Sequence, residues 1–411
     1  MADQSQFFWQ ATAQLFAGSH PVARRPERAL PAFEVIPATP TEACLVQLGA
    51  QVIAGRSFCV SDADIPTDLN VPETHFLTLT GGSSGQPKAI LRSKSSWVKS
   101  FETNATLFRL TASDNIAVLG KLSHSLALYG ALEGLHIGCD VHVLDALAPS
   151  LQIKTCLARR IHILYATPTQ LKRIALAAKG RILPDLRLIL CGGGSLDSPT
   201  RIAVRTIAPN AALHVFYGAA ETSFVTLSTA ATPEGSVGGA YPGVTLKILD
   251  AARQPTTGIG EVWVHSPYLF DHYMQASSPD TRWHDGFLTV GELGILDSEG
   301  WLWLKGRKTR MITIADQNVY PEAVEEFISE LHGVTACAVL ARPDTLRGHH
   351  LIALVEGAQN ADLAHTIQRA CRRAFGPLIA PKSVRFVSKL PRRASGKIDL
   401  VALALHLEGS Q

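Results

Sequence analysis

Short apolar runs alternate with segments of helical spacing from about residue 75 onward. The runs at 75–79, 116–119, 139–144, 161–166 and 186–191 have the length and composition of buried strands. Helical spacing follows most of them, as in SSWVKSFETNATLF after the first run. This alternation predicts a mostly parallel sheet with crossover helices, in which ligands collect at the carboxyl ends of the strands. The loops after residues 79, 191 and 216 are therefore the candidate binding loops.

The pattern changes past about residue 235. The segments SVGGAYPGVTLKILD, GEVWVH and GWLWLKG are typical of β-hairpins with turn glycines. After Gly306 a smaller α/β pattern resumes, with helices predicted near 321–331 and 361–374 and strands near 336–341 and 351–355. We therefore predict an α/β fold with a large N-terminal domain over 1–305, made of mostly parallel sheets with helices and a β-rich subdomain, and a small mobile α+β domain over 306–411. Residues 1–70 show only modest periodicity.

Composition narrows the function class. A chain of 411 residues exceeds one hydrophobic core, and 46% apolar with 18% charged residues argues against disorder. The net charge of +3 is too small to indicate a nucleic-acid partner. We find no apolar run of signal-peptide length or of the roughly 20 residues that span a membrane. Seven cysteines without a CxxC pair predict reduced thiols in the cytoplasm.

The loop TGGSSGQPKA over 80–89 has the composition of a phosphate cradle, because glycines let several backbone N–H groups point at one anion. Its spacing differs from that of the usual P-loop, since Gln86 and Pro87 separate Gly85 from Lys88. A surface linker has the same composition, so the loop alone leaves both interpretations open.

Four further segments follow in order: FYGAAET (216–222), GELGILD (291–297), GRKTRMI (306–312) and LPRRASGKID (390–399). Together with the first loop they resemble the signature set of the adenylate-forming superfamily, which includes acyl- and aryl-CoA synthetases, stand-alone adenylation domains and luciferases. The resemblance spans about 75–400 of the chain. It implies that ATP converts a carboxylic acid to an acyl-adenylate with release of pyrophosphate, after which CoA or a carrier-protein phosphopantetheine captures the acyl group.

The resemblance also implies roles for individual residues. The first loop would hold the β- and γ-phosphates through Thr80, Gly82, Ser83, Ser84, Gly85 and Lys88. The remaining nucleotide contacts would come from Gly192, Gly193, Gly194, Phe216, Tyr217, Gly218, Ala219 and Ala220, with Tyr217 against the adenine. Glu292 and Arg307 match the pair that binds the ribose, and Asn318 matches a residue that contacts the adenylate.

Two residues match the family's charged catalytic groups. Lys397 would bridge the attacking carboxylate and the α-phosphate, where the repulsion between the two anions is greatest. Glu221 would hold Mg²⁺ beside the phosphates. Outside this resemblance, the first is an exposed lysine in a basic loop and the second a glutamate at a helix N-terminus.

Several positions depart from the family pattern. Ala220 stands where a hydroxyl commonly contacts the α-phosphate, and Glu292 stands where Asp is usual. Thr309 matches the hinge at which the family's C-terminal domain rotates between the two half-reactions. Asp or Lys is commoner there, but a small polar residue can also absorb the change in backbone dihedral angles. Asp316 replaces a glycine that usually lines the pantetheine tunnel. The resemblance therefore supports adenylation more fully than the thioester step.

The segment SHSLALYG over 123–130 matches the wall of the acyl pocket, and His124 stands where amino-acid-activating domains place an aspartate for the α-ammonium group. This argues against an amino acid and makes His124 a gate or stacking partner. Small residues over 193–195 and at Ala219 leave the pocket floor open, which suits an aryl or short to medium acyl group. The resemblance also implies that the part before the phosphate loop is about 100 residues shorter than usual, so we expect a pocket that is more open or is completed by a partner subunit.

The expected cofactors are ATP, Mg²⁺ and CoA or phosphopantetheine. The expected partners are the acid and CoA or an acyl carrier protein, with a homodimer left open. Two other functions fit the sequence less well. A P-loop kinase or ATPase lacks support because GK[ST] is missing, and a non-catalytic or adenylation-only relative is suggested by Ala220, Glu292 and Asp316 but not by the retained Lys397, Glu221 and Arg307.

Overall fold

The structure is a computed structural model that describes residues 6–24, 30–80, 88–274, 278–315, 317–393 and 398–408. A nine-stranded sheet forms its centre, in the order β13-β12-β11-β10-β9-β7-β8-β1-β2. Its strands are β1 (Leu15–Ala17), β2 (His20–Val22), β7 (Asn115–Val118), β8 (Asp140–Val143), β9 (Ile163–Ala166), β10 (Leu188–Cys191), β11 (Ala212–Ala219), β12 (Ser223–Leu227) and β13 (Gly239–Ala240). The strands from β1 to β11 in this order are all parallel.

A five-stranded sheet, in the order β16-β6-β5-β4-β3, stands beside the central one. It contains β3 (Phe33–Ile36), β4 (Ser57–Val60), β5 (His75–Leu79), β6 (Ala89–Ser93) and β16 (His272–Tyr273). The predicted strand at 75–79 is therefore β5, but the residues that follow the glycine-rich loop first form β6 and only then a helix. β6 pairs antiparallel with β5, so the loop joins two neighbouring strands.

Helices cover both faces of the central sheet. They are α1 (Thr41–Ile53), α2 (Lys94–Phe108), α3 (Ser125–Ile137), α4 (Pro149–Ala158), α5 (Pro168–Ala178) and α6 (Ser198–Ile207). Leu188 and Leu190 point into the core on the α3 side, whereas Ile189 and Cys191 point into the core on the side of α5 and α6. This alternation explains why the strand reads as a continuous apolar run, since both of its faces are buried.

The β-rich part is a six-stranded sheet of β14 (Thr245–Leu249), β15 (Gly260–His265), β17 (Arg282–His284), β18 (Phe287–Thr289), β19 (Glu292–Leu296) and β20 (Leu302–Arg307). A 3₁₀ turn over Lys308–Arg310 and the hairpin β21 (Ile312–Ile314) and β22 (Gln317–Val319) follow. The chain then forms α7 (Pro321–Ser329), β23 (Cys337–Asp344), β24 (Gly348–Glu356), α8 (Ala361–Ile379), β25 (Ser383–Val387) and α9 (Leu400–Glu408).

The order of elements confirms the predicted α/β class, with a large N-terminal part that includes a β-rich region and a smaller C-terminal part. Residues 1–70 show only modest periodicity in sequence, yet the described residues among them contribute four strands and a helix. β1 inserts beside β8, a partner more than a hundred positions along the chain, which local periodicity does not reveal. In the part of the chain that the structure describes, no helix combines the length and apolar character needed to cross a bilayer.

The start of α5 gives a test of local stability. The Thr167 hydroxyl accepts a hydrogen bond from the Gln170 N–H at 3.4 Å, and the Gln170 side chain accepts one from the Thr167 N–H at 2.8 Å. We expect Thr167→Ala to lower the free energy of unfolding by about 0.5–2 kcal/mol, because a helix-terminal N–H loses its partner. Thermal unfolding followed by circular dichroism measures this.

Thr206→Ala is the matched control, since the exposed Thr206 hydroxyl bonds only to the Ile202 carbonyl of its own helix. Alanine favours helix at such a position, so the control keeps or gains stability. Equal losses in both variants would show that the cap contributes nothing.

Candidate functional site

The glycine-rich loop is closed at its base by the pairing of β5 and β6. The Thr80 N–H donates to the Lys88 carbonyl at 3.0 Å, and Thr80 is buried. The sequence-predicted residues Gly82, Ser83, Ser84 and Gly85 lie outside the described residues. The structure therefore places the two ends of the predicted phosphate loop side by side, with the Lys88 ammonium 5.7 Å from the centroid of the Tyr273 ring.

Tyr273 links the predicted phosphate lysine to the predicted metal ligand. Its hydroxyl donates to Glu221 Oε1 at 2.7 Å and lies 2.9 Å from Thr281 Oγ1. Burial, assisted by the negative charge of Glu221, raises the pKa of Tyr273, so the phenol stays protonated as a donor. Tyr273 therefore contacts both residues: Lys88 lies over its ring, and Glu221 accepts a hydrogen bond from its hydroxyl. Sequence reasoning missed Tyr273, since no motif contains it.

The buried Arg92 holds the segment that carries Glu221. Its guanidinium donates to the Ala220 carbonyl and to the Tyr268 carbonyl, and also to Ser96 Oγ at 3.2 Å. Burial lowers the pKa of Arg92 to about 10, although Asp271 and Glu221 oppose the shift. The side chain remains charged near neutral pH and connects two loops that are distant in sequence. Arg92 was also missed.

The end of β11 leaves no room for a larger residue at Gly218. A Cβ atom on Gly218 would lie 1.8 Å from the Ser223 carbonyl oxygen, and the register between β11 and β12 shifts at Tyr217 and Gly218. The Ala219 N–H donates to the Thr222 hydroxyl at 2.9 Å. Thr222 is buried, so its hydroxyl supports this turn and does not replace the hydroxyl that Ala220 lacks.

The predicted ribose pair forms in the structure. Glu292 and Arg307 are Cα partners across β19 and β20, and Arg307 Nε donates to Glu292 Oε1 at 3.0 Å. The longer Glu side chain therefore reaches its partner directly. Burial by itself lowers the pKa of Arg307, but attraction to Glu292 and Glu221 outweighs it and the pKa is raised.

Tyr217 lies within electrostatic reach of the same charges. Burial first, then the negative charges of Glu292 and Glu221, raise the pKa of Tyr217. Tyr217, Glu221, Glu292 and Arg307 therefore lie within electrostatic reach of one another near the carboxyl end of β11, and we call the region that they share the cleft. Gly192, Gly193 and Gly194 follow β10 at the same end, next to β11. The cleft combines an aromatic face, a carboxylate pair and a guanidinium.

Other predicted residues lie elsewhere. His124 precedes the first turn of α3, where its carbonyl accepts hydrogen bonds from Ala127 and Leu128. Asn318 is exposed on β22, and the contacts of its hairpin run to β24 within the C-terminal part. Within this hairpin Asn318 pairs with Thr313. Lys397 and Asp316 lie outside the described residues.

The C-terminal part meets the N-terminal part through α7 and the turn after it. Glu326 Oε1 accepts from Ser195 Oγ at 3.1 Å, and Lys172 Nζ donates to the Thr335 carbonyl at 3.0 Å. A cavity of about 310 Å³ lies along this seam, lined by Lys172 and by residues 329–334 among others. Burial and neighbouring carboxylates raise the pKa of Glu330 at its edge.

α7 and the segment that carries the lysine motif cover opposite faces of the C-terminal sheet. Val324 and Ile328 of α7 pack with Val339 on one face, whereas Leu390 and Ile398 pack with Ala338 on the other. The face that touches the N-terminal part is therefore the α7 face.

Metal-binding chemistry in the cleft rests on one carboxylate. Among the described residues, no group of three or more His, Cys, Asp or Glu side chains could hold an ion. Mg²⁺ commonly binds through one or two carboxylates together with substrate phosphates. Glu221, fixed by Tyr273, fits this mode of binding, in which phosphate oxygens supply the other ligands.

Comparison with known proteins gives the same assignment for most of the chain. Residues 32–274 match the AMP-binding enzyme family, and residues 323–397 match the AMP-binding enzyme C-terminal domain. The chain is 31% identical to an uncharacterized acyl–CoA ligase, YhfT, of Bacillus subtilis, over 86% of this chain and 74% of that protein. It is 25% identical to the 2-succinylbenzoate–CoA ligase of Enterococcus faecalis, over 89% and 76% of the two chains.

The fold is also shared with a solved structure. The o-succinylbenzoate CoA synthetase of Bacillus subtilis, in complex with its acyl-adenylate intermediate, superposes with a TM-score of 0.75 at 19% identity, over 95% of this chain and 94% of that one.

Arg92 offers a test of how the cleft is held. We expect Arg92→Lys to lower the thermal midpoint, since a lysine cannot span both carbonyl oxygens and an unpaired buried carbonyl costs about 1–3 kcal/mol. The loops at 219–222 and 268–271 should also become more sensitive to limited proteolysis. Mass spectrometry of the fragments locates the cuts.

Arg109→Lys serves as the control because Arg109 is exposed. If Arg92→Lys keeps the wild-type midpoint and cleavage pattern, the guanidinium does not hold these loops.

Proposed function

Because this chain belongs to the AMP-binding enzyme family, we propose that it activates a carboxylic acid with ATP and then transfers the acyl group to the thiol of CoA. The first step forms the acyl-adenylate and releases pyrophosphate, and the second forms the thioester and releases AMP. The observation that carries the proposal is the cleft in which Tyr217 and Glu221 lie beside the Glu292–Arg307 pair.

The cleft has the chemistry to hold ATP. The Tyr217 ring and the glycines at 192–194 suit the adenine, since an aromatic face stacks on the base and the glycines let it approach. Glu292 can accept hydrogen bonds from the ribose hydroxyls, and Arg307 keeps that carboxylate in place. Thr80 and Lys88 stand at the base of the loop that would hold the β- and γ-phosphates.

The chemical difficulty is that both reactants are anions. The protein must place positive charge where the carboxylate oxygen approaches the α-phosphorus, since electrostatic stabilisation and positioning supply most of phosphoryl-transfer catalysis. Lys88 and Arg307 border the cleft, and Lys397 is proposed to supply the charge between the two reacting groups. Mg²⁺ held by Glu221 would neutralise the phosphates when bound.

We propose that the C-terminal part, 306–411, rotates on the N-terminal part, 1–305, between the two steps. The placement of α7 and Ile398 on opposite faces of the C-terminal sheet supports this, because in the described part of the chain the α7 side contacts the N-terminal part through Ser195 and Lys172. The hinge would be the 3₁₀ turn that contains Thr309, directly after β20. Asn318 would reach the cleft only through such a movement.

The proposal also covers the thiol acceptor, the oligomeric state and the cellular location. CoA is the acceptor that the acid–CoA ligase relatives favour, and a phosphopantetheinylated carrier protein is the alternative. A homodimer also stays a proposal, which light scattering tests. We place the protein in the cytoplasm, because its seven cysteines are free and buried.

ATP–pyrophosphate exchange across a panel of acids tests the first step, and thioester formation with CoA or a loaded carrier protein tests the second. We expect exchange with at least one acid that lacks an α-amine, and AMP as the nucleotide product. Release of ADP, or exchange only with amino acids, would overturn the proposal.

Lys397→Ala should lower the exchange rate by about 10²–10³-fold, because one charged group that stabilises the transition state is lost. ATP affinity, measured by calorimetry, should persist. Lys389→Ala is the control, since Lys389 is exposed nearby in the same segment. Unchanged exchange in Lys397→Ala would remove this lysine from the mechanism.

Tyr273→Phe removes the hydrogen bond to the Glu221 carboxylate without changing the ring that Lys88 approaches. A hydrogen bond to a charged group contributes about 1.5–3 kcal/mol, so we expect exchange to fall by about tenfold or more. The Mg²⁺ concentration at half-maximal exchange should rise. Tyr320→Phe is the control, and a variant with wild-type Mg²⁺ dependence would show that Tyr273 does not position Glu221.

A further inference from the structure

The ring of Phe216 lies across the end of β10. Cys191 and Val215 are paired residues of β10 and β11, so the next residues, Gly192 and Phe216, are neighbours. A Cβ atom on Gly192 would lie 2.2 Å from Phe216 Cζ, which means that the ring occupies the space of the missing side chain. Phe216 packs on the α3 side of the sheet, against the core that contains Leu128 and Tyr129.

Phe216 and Tyr217 divide the cleft into two sides, because successive residues of a strand point to opposite faces. Tyr217 lies toward Glu292 and Arg307, where the nucleotide is proposed to bind. Phe216 therefore faces the other side, between the sheet and α3. The start of α3 is tied to β5 there, since Ser125 Oγ lies 2.8 Å from Thr78 Oγ1. This is the side to which the acyl pocket was assigned from the segment 123–130.

Behind Phe216 stands a layer of aromatic rings. The Phe216 and Phe224 centroids are 4.3 Å apart, and the Phe224 ring lies 4.9 Å from Tyr241 and 5.3 Å from Tyr129. We call Phe216, Phe224, Tyr129 and Tyr241 the aromatic wall. Phe224, Tyr129 and Tyr241 are buried, so the space between α3 and the sheet is filled with side chains behind the half-buried Phe216.

Buried hydrogen bonds hold the wall in place. Tyr241 donates to Asn104 Oδ1 at 2.6 Å, and Tyr129 donates to Ser100 Oγ at 2.8 Å. Asn104 in turn donates to Glu133 Oε1 at 2.8 Å. Moving either tyrosine would leave buried polar groups unpaired, which costs about 1–3 kcal/mol for each group. The wall therefore does not swing aside to admit a longer chain.

We propose that the aromatic wall closes the acyl pocket, so that the substrate is a short-chain carboxylic acid and Phe216 is the residue that sets the limit. This inference rests on the proposed function. It narrows the candidate substrates from aryl and short to medium acyl acids to short-chain acids. It also separates the chain from relatives named for bulkier acids, such as 2-succinylbenzoate and indoleacetate. Gly192 does not open the pocket floor, because the Phe216 ring occupies the space of its missing side chain, whereas at Gly193 and Gly194 the nearest atoms to an added Cβ are 3.7 Å and 3.8 Å away.

The test is kcat/KM for ATP–pyrophosphate exchange with acetate, propionate, butyrate, hexanoate, octanoate and benzoate. We expect the wild-type protein to prefer one of the first three acids and to lose at least about tenfold on octanoate and benzoate. Phe216→Ala should raise kcat/KM for hexanoate by about tenfold or more, since methylene groups in a matching pocket contribute about 10–200-fold each.

Phe287→Ala is the matched control, because Phe287 is a half-buried phenylalanine in the separate six-stranded sheet and should leave the chain-length profile unchanged. Phe216→Leu keeps more of the side-chain volume and should shift the profile in the same direction by less. It replaces Phe216→Ala if that variant fails to fold.

The outcomes separate the two proposals. The proposal that the aromatic wall closes the pocket would be overturned if the wild-type protein prefers octanoate or benzoate, or if folded Phe216 variants keep the wild-type profile. Either result would leave the proposed acid activation intact. No exchange with any acid would overturn the proposed function, and the assignment of the wall with it.

Discussion

The guanidinium of Arg92 connects the segments on which the cleft depends. It donates to the carbonyl of Ala220, next to the proposed metal ligand Glu221, and to the carbonyl of Tyr268, on the segment that leads to Tyr273. The same two loops are also joined directly, since the Phe270 N–H donates to the Glu221 carbonyl at 2.8 Å. A buried charge is costly unless it is hydrogen-bonded, and the bonds from the two terminal nitrogens offset part of this cost, while the buried Nε has no partner among the described residues. The geometry between Glu221 and Tyr273 follows from this arrangement.

The parts of the fold that the sequence predicted are those set by local pattern. The runs at 116–119 and 186–191 became strands within two residues of the expected bounds, because a strand buried on both faces must be continuously apolar. The helix expected near 321–331 ends at Ser329. The Glu292–Arg307 pair could also be predicted from the sequence, since both residues belong to recognisable motifs. Resemblance rather than periodicity supplied this pair.

What the sequence did not reveal are contacts between distant segments. Arg92 reads as one more polar residue in AILRS, and only the fold shows that it is buried against loops far along the chain. Tyr273 stands outside every motif. The ring of Phe216 lies on the α3 side of the sheet, which the register between β10 and β11 determines, and its predicted contact with the nucleotide stays a prediction. Small residues at 193–195 and Ala219 predicted an open pocket floor, but the Phe216 ring fills the space beside the preceding Gly192, because a small residue leaves space only where no other side chain occupies it.

The buried carboxyl group behind the aromatic wall has a consequence for proton binding. Burial raises the pKa of Glu133 from 4.5 to about 7, although hydrogen bonds from Tyr165, Asn104 and Tyr129 favour the charged form. The folded protein therefore binds a proton here over a pH range in which the unfolded chain has released it. Stability from this group is complete below about pH 4.5 and is lost as the pH rises to about 7. Protonation of Glu133 in the interior is therefore thermodynamically linked to the folding of the protein.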